Sequence, residues 1–181
     1  MYSNLYSVFV ISAVNLAAKM SEKRLKMYDF KKQYGCIKSE IDRSIQNVLN
    51  DAAFSNGKYV QCFEKDFSEY LGSNHCLAVN NGTSALHLSF MASDIKKDDV
   101  VIMPIINFIS SYNMCRILGA KIFFADVDKQ SGLITPDAII KCIKINKLKK
   151  IKAIVVQYMG GFPDYNEKFY KLKKKLKCLL I

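Results

Sequence analysis

The sequence predicts an α/β domain built on a largely parallel sheet with flanking helices. Three observations carry this. Short apolar, β-rich runs alternate with helical stretches of about ten residues, the pattern of βα units. Glycine, proline and cap residues fall between them rather than inside them. The chain of 181 residues also has the length of one sizeable domain.

Two helical stretches precede the alternation. Apolar residues at Ile37, Ile41, Ile45, Val48 and Leu49 recur at a helical period and predict a helix over 37–50. Asn56 and Gly57 mark a turn, and a second helix is expected over 60–71, ending at Gly72 as its C-cap. Strand and helix then take turns. Residues 76–79 read as a short strand, 83–92 as a helix, 100–103 as a strand stopped by Pro104, and 110–118 as a helix closed by Gly119. Residues 121–127 form a β-rich run. Thr135, Pro136 and Asp137 place a hydroxyl cap, a first-turn proline and an acid against the helix dipole, opening a helix to about Lys144. A strand over 153–159, a helix over 166–176 and a strand over 178–181 complete the reading.

Composition narrows the class of function. Hydrophobic content of 50% with 24% charged residues excludes a disordered or fibrous chain. The net charge of +11 invites a nucleic-acid or anionic-membrane partner. Its lysines, however, alternate with Ile and Leu over 141–152 and 171–177, as on the solvated faces of amphipathic helices, so neither partner is expected. The six cysteines form no Cys-x-x-Cys pair, and the two histidines, His75 and His87, fall in no zinc spacing. Reduced thiols, no metal site and a cytoplasmic location are expected. The apolar run over 6–18 is shorter than the roughly 20 residues of a membrane span, and no Lys or Arg precedes it as in a signal peptide. Residues 1–27 are expected to be an N-terminal extension.

The segment richest in chemistry is the turn at 80–84 (Asn-Asn-Gly-Thr-Ser), between the expected strand and helix. Such a turn points unpaired backbone N–H groups outward, flanks them with the hydroxyls of Thr83 and Ser84, and adds the positive end of the helix dipole. This is a seat for a phosphate, with Gly82 allowing close backbone approach. An ordinary capped βα turn accounts for the same residues equally well. Phe108 lies just past the carboxyl end of the next strand, on the edge where such sheets bind ligands. There it can stack on a flat heteroaromatic ring or simply fill a junction in the core. Asp128 at the end of a further strand reads as a turn residue, and 155–161 brings Gln157 and Tyr158 to the same edge.

Taken in order, these segments resemble the DegT/DnrJ/StrS family of nucleotide-sugar aminotransferases that depend on pyridoxal 5'-phosphate (PLP). The resemblance runs from about Tyr28 to Ile181. It is carried by 29–34, 41–45, 54–60, the Asn-Gly-Thr-Ser-Ala-Leu-His-Leu run over 81–88, Asp98 to Pro104, Gly119 to Asp128 and Lys152 to Gly161. It implies that residues 28–181 form the N-terminal part of the large domain of a type I PLP-dependent transferase, whose remainder is absent here. It also implies a homodimer and an amino transfer, usually from glutamate, to a nucleotide-linked keto-sugar for polysaccharide or surface glycan biosynthesis. Carried over by position, Gly82, Thr83 and Ser84 would hold the PLP phosphate and Phe108 would stack on its ring. Phe54, Asn56 and Gly57 would lie near the sugar nucleotide. No catalytic residue is carried over: the family's ring-pairing Asp and its Schiff-base Lys match no position here, so this stretch alone is expected to be inactive. A non-catalytic relative that binds a sugar nucleotide or a partner is the alternative. Asn81 stands where the family often has Ser, Asn107 where it often has Thr, and Gln157 where it commonly has His.

Overall fold

The computed structural model describes residues 28–55, 57–162 and 167–181. The chain divides into two compact units, Met1–Cys76 and Leu77–Ile181. The expected extension over 1–27 lies outside the described residues.

The described part of the first unit holds two helices, α1 (Phe30–Asn50) and α2 (Lys58–Leu71). Helix α1 begins seven residues before the expected 37, where Asp29 caps it by accepting from the Lys32 amide. Helix α2 ends as expected, with Gly72 in the left-handed region at φ 64°. No residue of either helix is buried, and α1 keeps Ile37, Ile41, Ile45 and Leu49 on an exposed stripe.

The second unit is a sheet with helices on both faces. Its elements are α3 (Gly82–Ala92), β1 (Val100–Pro104), α4 (Ile109–Ile117), β2 (Lys121–Ala125), α5 (Pro136–Ile145), β3 (Ala153–Ile154), α6 (Glu167–Leu176) and β4 (Leu179–Leu180). All pairings are parallel, in the order β2-β1-β3-β4. A parallel sheet must be covered twice, so its strands are apolar on both faces. Alternate residues therefore serve different cores. Ile102 and Ile154 face Ile139, Cys142, Phe169 and Leu172 of α5 and α6. Val101, Met103, Ala153 and Val155 face Phe90 of α3 and Cys115 of α4.

Caps fix the entries. The Thr135 hydroxyl accepts from the Ala138 amide at 3.2 Å with Pro136 in the first turn, as its sequence requires. Gly119, at φ 82°, turns the chain from α4 back to β2.

One expected strand does not form. Residues 76–79 enter no sheet, with Leu77 71% exposed and Val79 37% exposed. An apolar run becomes a strand only where a neighbour offers its backbone, and this run is not among the four strands that pair here. The strands expected over 121–127, 153–159 and 178–181 pair regularly over fewer residues, although the Ile181 amide still donates to Ile154 O and the Val156 amide to Ile181 O. Among the described residues, no helix is long and apolar enough to cross a membrane.

Candidate functional site

The carboxyl ends of β1 and β3 and the N-terminal ends of α3 and α4 are where ligand-binding groups collect in this topology. At the start of α3, Asn81 is the N-cap: its Oδ1 accepts from the Ser84 amide at 2.9 Å. The Ser84 hydroxyl donates to Asn80 Oδ1 at 2.9 Å. Both Ser84 donors are thus engaged within the turn. The amides of Gly82 and Thr83 have no protein acceptor among the described residues, as expected for the first two positions of a helix. Gly82 is exposed, and a Cβ built on it would meet nothing within 4 Å.

Thr83 reaches across to the next helix. Its Oγ1 lies 2.7 Å from the hydroxyl of Ser110, a residue 27 positions away and only 5% exposed. Ser110 stands in the first turn of α4, two residues past Phe108, the N-cap of that helix. This contact sets the starts of α3 and α4 side by side, with Gly82 on one and Phe108 on the other. The Phe108 ring is 68% exposed. With Met103, Ile105, Asn107, Ile109 and Tyr112 it lines a cavity of about 240 Å³, closed on one side by Phe124, whose ring stacks on Tyr112 at 5.8 Å.

Two polar atoms at this edge stand out. Asn107 Oδ1 accepts from the Ser111 hydroxyl at 3.2 Å, leaving Nδ2 buried without a partner, and Gln157 Oε1 is also buried and unpartnered. Buried polar atoms are nearly always satisfied, so these two, just past β1 and β3, are exceptions. Ser110 escaped the sequence reading because nothing in a Ser-Ser pair signals a bond to a residue 27 positions away. Asn107 appears there only as a departure from a pattern, and Gln157 as such a departure and as a residue brought to the sheet edge.

The remaining candidates sit elsewhere. Phe54 is 72% exposed and Gly57 caps the start of α2, both in the first unit, while Asn56 lies outside the described residues. Asp128 has the turn role expected of it. Its Oδ1 accepts from the Ser131 and Gln130 amides and from the Ser131 hydroxyl, and these bonds, the Ser131 amide foremost, hold its carboxyl below the usual range. Among the described residues, no cluster of His, Cys, Asp and Glu could hold a metal.

Fold and site together define an α/β protein with a parallel sheet, a helix start whose first two amides have no protein acceptor among the described residues, and an exposed Phe108. The sequence pattern of the DegT/DnrJ/EryC1/StrS aminotransferase family matches residues 35–181, and the chain belongs to that family. It is similar to a DegT DnrJ EryC1 StrS aminotransferase from Brucella abortus, with 26% identity and a TM-score of 0.76 over 87% of this chain and 43% of that one. An aminotransferase from Psychrobacter cryohalolentis is 31% identical, with a TM-score of 0.68 over 77% of this chain and 35% of that one. NtdA from Bacillus subtilis, solved with bound cofactor PMP, is 25% identical, with a TM-score of 0.70 over 78% and 32%. The chain therefore spans less than half the length of these solved relatives.

Proposed function

We propose that this stretch seats PLP, with the cofactor's phosphate at the start of α3 and its ring against Phe108. The observation that carries the reading is the 2.7 Å contact between Thr83 and Ser110, which brings an open helix N-terminus beside an exposed aromatic face. The residues present fit the group. A phosphate accepts hydrogen bonds only, and the Gly82 and Thr83 amides with the Thr83 hydroxyl offer donors at the positive end of an eleven-residue helix. Ser84 joins them once its hydroxyl leaves Asn80. Phe108 offers the flat apolar surface that a pyridine ring stacks on. The family and the PMP held by NtdA support the choice of cofactor.

For the whole protein we propose transfer of an amino group, from glutamate, to a nucleotide-linked keto-sugar in glycan biosynthesis. In this reading the protein acts in the cytoplasm as a homodimer. Residues 28–181 are the N-terminal part of the large domain, and Phe54, Asn56 and Gly57 approach the sugar nucleotide. The exposed apolar stripes of α1 and α2 support association with a second copy. PLP supplies the carbonyl that receives the amino group and the ring that withdraws electrons. This chain's part is to bind, orient and shield.

Among the described residues no lysine lines the cavity at Phe108, so no covalent link to the protein is proposed here and no turnover by this stretch alone. Titrating the 181-residue chain with PLP and with pyridoxal tests the seat: PLP should bind more tightly because only it carries the phosphate. Equal affinity would refute the seat. Glutamate-dependent release of 2-oxoglutarate by this chain alone would refute the assignment of its inactivity.

A further inference from the structure

Ser110 occupies an unusual place for a serine. A hydroxyl in the first turn of a helix ordinarily faces water or bonds to the nearby backbone. This one is 5% exposed and meets the side chain of Thr83 on another helix at 2.7 Å. Either oxygen can be the donor in that contact, but proton counting removes the freedom once an anion is present. Each hydroxyl has one proton and two lone pairs. An anion at the start of α3 accepts and cannot donate, so Thr83 must give it the only proton it has. The Thr83 oxygen can then only accept from Ser110, and the Ser110 proton is spent on Thr83.

We propose that Ser110 is a positioning residue for phosphate recognition: its hydroxyl donates to Thr83 Oγ1 and thereby fixes the Thr83 hydroxyl as a donor to the bound phosphate. This rests on the reading of the α3 start as the PLP phosphate seat. Three features of the contact serve this role. It is buried on the Ser110 side, so water does not compete for the Ser110 proton. Polarisation along the chain Ser110, Thr83 and phosphate strengthens the outer bond. And because Ser110 lies two residues past Phe108, the same contact sets the distance between phosphate donors and ring-stacking surface. Ser110 therefore tunes selection of the phosphate ester over the free alcohol without touching either.

The test measures affinities of the 181-residue chain for PLP and for pyridoxal, in the wild type and in Ser110→Ala, Thr83→Val and the double variant. Ser110→Ala should weaken PLP about fivefold, the scale of one net hydrogen bond, and leave pyridoxal unchanged. In the Thr83→Val background, Ser110→Ala should change nothing further, since it acts only through Thr83. If Ser110→Ala does not fold, Ser110→Cys serves: its weak S–H donor should lower PLP affinity with pyridoxal unchanged. Unchanged PLP affinity, an equal loss on pyridoxal, or the same loss without the Thr83 hydroxyl would overturn the inference while leaving the seat intact. A wild type that binds PLP no more tightly than pyridoxal would overturn the seat itself, and Ser110's role with it.

Discussion

The carboxamide oxygen of Asn81 accepts from the amide of Ser84 at 2.9 Å, so one of the donors at the start of α3 is already satisfied by the protein's own cap. Helix formation and anion binding thus draw on different amides of one turn: Ser84 for the cap, Gly82 and Thr83 for the ligand. Asn81→Ala removes the cap and should lower stability by about 1 kcal/mol, the usual worth of such a residue. It should leave PLP affinity within about twofold, because the ligand's donors are untouched. Urea unfolding and ligand titration of the same preparation check both halves.

Gln157 Oε1 is buried without a partner, and leaving a polar atom in that condition costs stability. Replacing the side chain by one of similar shape without the amide removes the cost. Gln157→Met should therefore melt at the wild-type temperature or higher, against the usual outcome of a substitution at a partly buried position. A lower melting temperature would show that the amide already has a role in the unliganded fold. Asn107→Leu should instead melt lower, because it also removes the Oδ1 that accepts from the buried Ser111 hydroxyl.

Gly119 adopts φ 82°, and an added Cβ would come within 3.1 Å of Lys97 Cα and Cβ. Both the backbone conformation and the close approach reject a side chain. Gly119→Ala should destabilise by about 1–3 kcal/mol, read as a lower urea midpoint with an unchanged slope. Gly132, also at positive φ but with nothing within 4 Å, should lose less on the same substitution.

Asp128 introduces a pH dependence whose sign is fixed. The Ser131 amide and hydroxyl and the Gln130 amide bond to its carboxylate and lower its pKa in the folded state. A group depressed on folding contributes stability above its unfolded pKa and loses it as pH falls through the folded value. The contribution is present at neutral pH, begins to fall at about pH 4 and is lost as pH drops through the lower folded value. In Asp128→Ala, the difference in urea midpoint between pH 7 and pH 3 should be smaller than in the wild type.

Much of this architecture is legible in the residue order because its causes are local. Thr135 with Pro136, and Gly72 in the left-handed region, punctuate helices through their own backbone chemistry. The run Val101, Ile102, Met103 announces a strand buried on both faces. Where the cause is not local, the reading stops short. The apolar segment 76–79 has the composition of a strand, but pairing depends on a neighbour that the segment itself does not encode. The start of α1 lies before the expected 37 because Asp29 caps the chain there and Phe30 and Tyr34 continue the apolar period across Gly35. Gly82, Thr83, Ser84 and Phe108 are legible as residue types at the starts of α3 and α4. Ser110 is not, because its role comes from a contact through space.

The central claim is that the Gly82 and Thr83 amides form an anion seat. Amide chemical shifts of an isotopically labelled chain, followed during titration with PLP, test this most directly. The account predicts saturable downfield shifts at Gly82 and Thr83, accompanied by a change at Ser110 and reproduced more weakly by inorganic phosphate. Shifts confined to the lysine-rich faces of α5 and α6, with Gly82 and Thr83 unmoved, would contradict it.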